Sequence, residues 1–339
     1  MLSLGCIELL LSGLFPQELI GTLRVFDERG LSLHERNRVV RLPSGIEYET
    51  DNLGLRTVER AANGKPSLRI LVLGDSFTFG WGLDAEATFV ARLQRTADAE
   101  FGPGRLLLLN GGHMGWGTSE YVSYVEHYGQ GLDVDGLLVF LNAFDIDRSV
   151  RRQRYRLRDT TTLTLEERSV VVPGMRVRNL ARLIPGYQWL MEHSHLVHLS
   201  RKTLIHMQWA EPPSNLESHE GEEASYVILG RALFHRLKEL SDARNYRLFV
   251  ATTGFLEATI QGMETSRHTR AFLADAEKFF TNENVHFHDI SKELHEKVKG
   301  DYSSLVFPND PHPNELGARY IADLNWPRIR YWLSAIARK

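Results

Sequence analysis

Apolar residues gather into five short runs, Arg69 to Leu73, Arg105 to Leu109, Gly136 to Leu141, Arg247 to Ala251 and Val285 to Ile290. Runs of this length suit strands covered on both faces, as in a parallel sheet. Between them apolar side chains recur at three- and four-residue spacing: Phe89 with Leu93, Tyr121 with Val125 and Tyr128, and Leu229 with Leu233, Leu237 and Leu240. That is the period of an amphipathic helix. Strands alternating with such helices predict an α/β domain with a five-stranded parallel sheet and helices on both faces.

The segments outside this alternation carry their own patterns. Met1 to Phe15 is apolar, interrupted by Glu8 and ended by Pro16, with no basic residues before it. It is too short to span a bilayer and does not read as a signal peptide, so a short amphipathic helix is expected. As written the chain reads as cytoplasmic, and as membrane-associated or exported if its true start lies elsewhere. Ile46 to Thr50 alternates like a half-buried strand, and Asp51, Asn52 and Gly54 supply turn chemistry. Residues 1–67 are therefore expected to form a leader and flap on the core, with the main domain at 68–339. Inside that domain, about 149–221 is too long for a simple crossover and reads as an insertion. Arg152, Arg154, Arg156 and Arg158 alternate with other residues there, which on a strand would put the arginines on one face. Leu180 to Met207 reads as helical, and Trp189, Leu190, Leu196 and Trp209 read as a lid core.

Composition narrows the function classes. The 339 residues are 42% hydrophobic and 24% charged, enough for one large core with insertions or at most two domains. A formal charge of −3 gives no global electrostatic case for nucleic acid. Cys6 is the only cysteine, so no intrachain disulfide or Cys-based zinc site can form. His193, His195, His198 and His206 invite a metal reading, but the first two face different sides of a helix and no carboxylate accompanies His195 and His198 at a suitable spacing. No metal or cofactor is expected, and the oligomeric state is not legible.

Four stretches hold the candidate chemistry. The strand ending at Leu73 stops at Gly74, Asp75 and Ser76, which leaves the Ser76 hydroxyl at the carboxyl edge of the sheet, where open α/β sheets bind ligands. A serine that only caps this turn is the alternative. After the second strand, Asn110 to Thr118 (NGGHMGWGT) is a glycine-rich turn before a helix, and a backbone N–H there can hold a developing oxyanion. The third strand runs into Asn142, Ala143, Phe144 and Asp145. Late in the chain, FPNDPHPNELG places His312 in a loop, with Asn314 a good N-cap for the last helix.

Taken together these stretches resemble the SGNH, or GDSL, hydrolases, in particular the bacterial exopolysaccharide-associated type of esterase and acyltransferase. The match lies in GDS at Gly74 to Ser76, the glycine block, the DPHPN block, and DNLGLR at Asp51 to Arg56, which is similar to a leader of that type. The resemblance implies a three-layer α/β/α sandwich of flavodoxin-like order. It makes Ser76 the nucleophile, His312 the general base and Gly115, with the Ser76 N–H, the oxyanion donors. The family's supporting acid stands three residues before the histidine, where this chain has Asn309; Asp310, two before, matches the Asp-x-His spacing of some polysaccharide acyl-transfer branches and is assigned to orient the imidazole. The family's third-block Asn is replaced by Phe144 if Asp145 is aligned. A strand period of two keeps Asn142 on the same face, so it is the substitute oxyanion donor. Losing such a donor costs about 3 kcal/mol of transition-state stabilisation. For Arg56 a structural ion pair is expected.

The activity implied is a serine esterase that removes O-acyl groups, O-acetyl first among them, from a carbohydrate or small natural product through an acyl-enzyme on Ser76. The alternatives are an O-acyltransferase acting on a polysaccharide and a non-catalytic glycan-binding module on a degenerate scaffold. GDSFTFG lacks the Lys-Ser/Thr ending of a P-loop, which sets a phosphate-binding flavodoxin-like protein aside.

Overall fold

The computed structural model describes residues 2–57 apart from 18 and 20, then 66–172, 174–208, 222–255, 259–260, 263–264 and 267–337. Trp209 lies outside the described residues, as does the side chain of His206. The chain divides into two compact units, one of residues 1–54 with 169–217 and one of 55–168 with 218–339.

The second unit holds a five-stranded sheet of β1 (Leu68–Gly74), β2 (Leu106–Gly112), β3 (Gly136–Leu141), β4 (Arg247–Thr252) and β5 (His286–His288). Its spatial order is β5-β4-β3-β1-β2, and every pairing is parallel, with Leu68 opposite Leu106 and Ile70 opposite Gly136. All five apolar runs thus become strands. The order reverses at β1, so the end of β1 lies at the topological switch point where crossovers diverge and leave a crevice.

The helices follow the same alternation: α1 (Ser76–Phe79), α2 (Phe89–Phe101), α3 (Thr118–Tyr128), α4 (Asp145–Arg152), α5 (Glu222–Ala243) and α6 (Glu315–Ala337). Ile70, Val72, Leu138, Phe140, Phe249 and Ala251 point to one face and pack with Phe89 and Leu93 of α2 and Ile321, Trp332 and Leu333 of α6. Leu71, Leu73, Leu137, Val139 and Val250 alternate with them, are equally buried, and point to the opposite face. There α3 packs against α5, which puts helices on both sides of the sheet. The rings of Phe89 and Phe140 lie 4.6 Å apart, so Phe140→Ala would open a void at the sheet's centre costing about 3–5 kcal/mol.

The stretch after β3 departs from its expected pattern. The four arginines do not share a strand face: Arg152 ends α4, Gln153 takes a left-handed turn at φ 50°, and the hairpin strand begins only at Tyr155. Arg154 is buried and bonded to Glu120, which leaves only Arg156 and Arg158 on the exposed side. The hairpin's partner strand is Thr164–Glu167.

In the first unit, Leu2–Leu14 forms a helix, and no described helix is long and apolar enough to cross a membrane. Its Glu8 carboxylate accepts from Ser194 Oγ and from the N–H groups of His195 and Leu196, capping the helix His195–Gln208. The expected strand appears as Glu47–Glu49, with Tyr48 buried, paired with Val39–Arg41. The helical stretch from Leu180 is broken into helices at Met175–Ala181, Tyr187–His193 and His195–Gln208.

Candidate active site

The serine turn is built by its neighbours. Asp75 N-caps α1 by accepting from Phe77 N at 2.9 Å, and Gly80 closes the helix in the left-handed region, so Ser76 is held on a single turn straight after β1. Arg56, almost wholly buried, donates to the carbonyls of Phe79, Gly80 and Leu83 at 2.5–2.7 Å. These bonds to backbone carbonyls give Arg56 a structural role beside the serine turn. A side chain at Gly112 would sit 2.1 Å from Phe79 N, so the end of β2 approaches α1 as closely as only glycine permits.

His312 arrives on a short strand, Asp310–Pro313, folded back on Val306–Phe307 by Asn309, whose φ is 62°. Its Nε2 lies 2.8 Å from Ser76 Oγ. On the other side of the ring, Nδ1 bonds Asp310 Oδ1, and the same oxygen accepts the His312 backbone N–H at 2.9 Å. A carboxylate can only accept here, so Nδ1 carries the proton and Nε2 offers its lone pair to the serine hydroxyl. Burial works to raise the Asp310 pKa, but the hydrogen bonds from His312 and from the Trp81 side chain outweigh it and hold the carboxyl below the usual range. Phe77 and Trp81 flank the imidazole, with ring centroids 5.5 and 6.3 Å from its own. Asn314 caps α6 through Leu316 N and Gly317 N, fixing the far end of the histidine loop.

The glycine block turns where the oxyanion site is expected. Gly115 sits at φ 78°, a left-handed conformation that favours glycine, and among the described residues its N–H meets no backbone carbonyl; the same holds for Ser76 N–H. His113 N donates to Gly74 O at 3.0 Å and ties this turn to the serine strand. Asn142 comes to the same place but is fully buried: its Nδ2 donates to Asp75 Oδ2 at 2.9 Å and its Oδ1 accepts from Ala143 N and Thr253 Oγ1. Any bond it makes to an oxyanion must use its second N–H.

Beneath the serine lies a charged network that the motifs alone did not announce. Arg148 Nη1 lies 2.7 Å from Asp75 Oδ2, 2.9 Å from Trp116 O and 3.4 Å from Asp145 Oδ1. Tyr121 Oη donates to Asp145 Oδ2 at 2.9 Å, as does Asn142 N at 2.8 Å. Burial, then the neighbouring Asp75 charge, pushes the Asp145 carboxyl well above its ordinary value, and burial with both carboxylates does the same for Tyr121. Burial alone would lower the Arg148 pKa; Asp75 and Asp145 more than reverse this, so it stays a cation. The one hint in the sequence is Asp145 three residues before Arg148 at a strand-to-helix junction.

A second cluster, Glu126, His127 and Glu167, brings potential metal-ligating atoms together. Its oxygens are engaged by Ser123, Tyr155, His127 and Arg236, so the arrangement is accounted for as hydrogen bonds and ion pairs.

No protein-family model and no curated protein matches the sequence. Solved structures of similar fold include esterases and a protein of the GDSL kind, the family the motifs resemble. The esterase EstA from Pseudoalteromonas sp. is 16% identical, with 78% of this chain and 98% of that one covered and a TM-score of 0.44. A mutant of Axe2, described as an acetyl-xylooligosaccharide esterase from Geobacillus Stearmophilus, is 13% identical over 79% and 96% of the two chains, with a TM-score of 0.47. A protein of the G-D-S-L family from Desulfitobacterium hafniense DCB-2 is 12% identical over 76% and 98%, with a TM-score of 0.41. At these identities the likeness concerns the fold.

Proposed function

We propose that the chain is a serine esterase that cleaves O-acyl esters, O-acetyl esters first among them, of a carbohydrate or other small natural product. The observation that carries this reading is the continuous line from Asp310 through His312 to Ser76, with Nε2 2.8 Å from Oγ. A serine hydroxyl is a weak nucleophile until a base takes its proton as it attacks. Here His312 Nε2 accepts that proton while Ser76 Oγ bonds the ester carbonyl carbon. Asp310 keeps the ring in the required tautomer and stabilises the imidazolium. The N–H groups of Ser76 and Gly115, with the remaining N–H of Asn142, hold the oxyanion. His312 then returns the proton to the departing alcohol, leaving an acyl group on Ser76. A water deprotonated by the same imidazole attacks the acyl carbon, and the Ser76 ester bond breaks as the imidazolium gives its proton back to Oγ, releasing the acid.

The test is intact mass after incubation with a fluorophosphonate. One adduct on the wild type, absent from Ser76→Ala and His312→Ala, is the expected result. A folded wild type that takes no adduct would overturn the reading.

A further inference from the structure

Ser76 and Gly115 stand on different loops, one after β1 and one after β2, and an oxyanion site needs their two N–H groups at a fixed separation. Transition-state stabilisation of this kind depends on donors already aimed before the reaction, and displacements of about 1 Å are costly. One atom meets both loops. Arg148 Nη1 bonds the carboxylate of Asp75, the residue before Ser76, and the carbonyl of Trp116, the residue after Gly115. Trp116 O belongs to the peptide two along from the Gly115 N–H, so fixing that carbonyl limits how the glycine turn can rotate. Asp145 and the face of the Phe144 ring, whose centroid lies 5.6 Å from the guanidinium carbon, hold the arginine in turn. Asp75 and Asp145 are fully buried while the Arg148 side chain is 22% exposed, so the cation closes the network from the solvent side. Phe144 occupies the position at which the resembled family would put an amide donor, so this chain has reason to secure its backbone donors by another route.

We propose that Arg148 is a positioning residue of the oxyanion site, clamping the serine loop to the glycine loop through Asp75 and Trp116. The inference rests on the serine-esterase reading. Lysine at this position keeps the charge but has one nitrogen on a flexible stem and no planar fork, so it cannot reproduce the clamp. Methionine keeps the apolar length and removes the donors.

The experiment compares wild type, Arg148→Lys and Arg148→Met in three readouts: the rate of fluorophosphonate labelling, kcat and KM for p-nitrophenyl acetate, and affinity for phenylboronic acid, whose tetrahedral adduct imitates the intermediate. All are run well below each variant's unfolding temperature. Expected are losses in kcat of about 10-fold for the lysine and about 100-fold for the methionine, with KM moved less than about threefold. Boronate affinity and labelling rate should fall in step with kcat. A folded variant with a lowered unfolding temperature but wild-type kcat and boronate affinity would overturn the inference and leave Arg148 a stabilising residue only. The lysine variant keeps the buried carboxylates facing a cation, so the question stands even if the methionine variant does not fold. A wild type inert to the fluorophosphonate and the ester would instead overturn the reading of the site itself.

Discussion

The two halves of the proposed catalytic line are delivered by opposite means. Ser76 stands at the end of a fully covered strand, capped by Asp75 and braced from below by Arg148, Asn142 and Arg56. His312 and Asp310 stand on a four-residue strand at the surface, with side chains 22% and 37% exposed, and owe their geometry to each other. The proposed nucleophile is positioned by the whole core, the proposed base by bonds that span two residues. Stability should therefore be nearly untouched by changes at the base and fall sharply with changes to the residues that hold the serine, Asp75 above all.

The largest expected effect is at the serine itself. Ser76→Ala should lower kcat about 10⁶-fold on any ester the wild type accepts, with little change in unfolding temperature, as read by kinetics and melting together. Asp310→Asn comes next, with a loss of about 10³–10⁴-fold in kcat because the imidazole loses the partner that fixes its tautomer. Urea unfolding of that variant should nevertheless show a cost under about 1 kcal/mol, the range of exposed ion pairs. Asp75→Asn should behave in the opposite manner. It removes the nearer of the two buried carboxylates facing Arg148, and the expected loss of stability is about 3–5 kcal/mol on the same urea curves. Equal stability losses at Asp75 and Asp310 would erase the contrast.

The smallest effect is a matter of pH. Asp310 is held below its ordinary pKa in the fold, so its contribution to stability is complete above the unfolded value and fades as pH falls through the lower folded value. Melting temperatures of wild type and Asp310→Asn should accordingly converge as the pH is lowered through the acid range. A gap that widens toward acid would reverse the sign and remove Asp310 as an ionised partner.

Local signals carried most of what was readable in advance. The five runs became five parallel strands because burial on both faces leaves a signature within each segment. Ser76, Asp310 and His312 lie in short blocks whose chemistry and spacing are visible without knowing the fold. The bonds from Arg148 were not legible: Asp75 is 73 residues away in sequence, and only the crossover between β1 and β3 brings the two together. The misreading of Arg152 to Arg158 has a similar origin. Alternation suggested one strand, but a helix runs through Arg152 and a left-handed Gln153 resets the phase, so that Arg154 turns inward to Glu120.

The histidine strand has a further meaning for heat and mechanical disturbance. Asp310 and His312, the proposed acid and base, ride on one small flap of backbone, pinned to Val306 and Phe307 and followed by the Asn314 cap. A fluctuation that lifts this flap removes both groups together and leaves the central sheet intact, and segments with few buried contacts open at a fraction of the global free energy. Such a protein falls silent before it melts, and recovers its voice on cooling without having to refold.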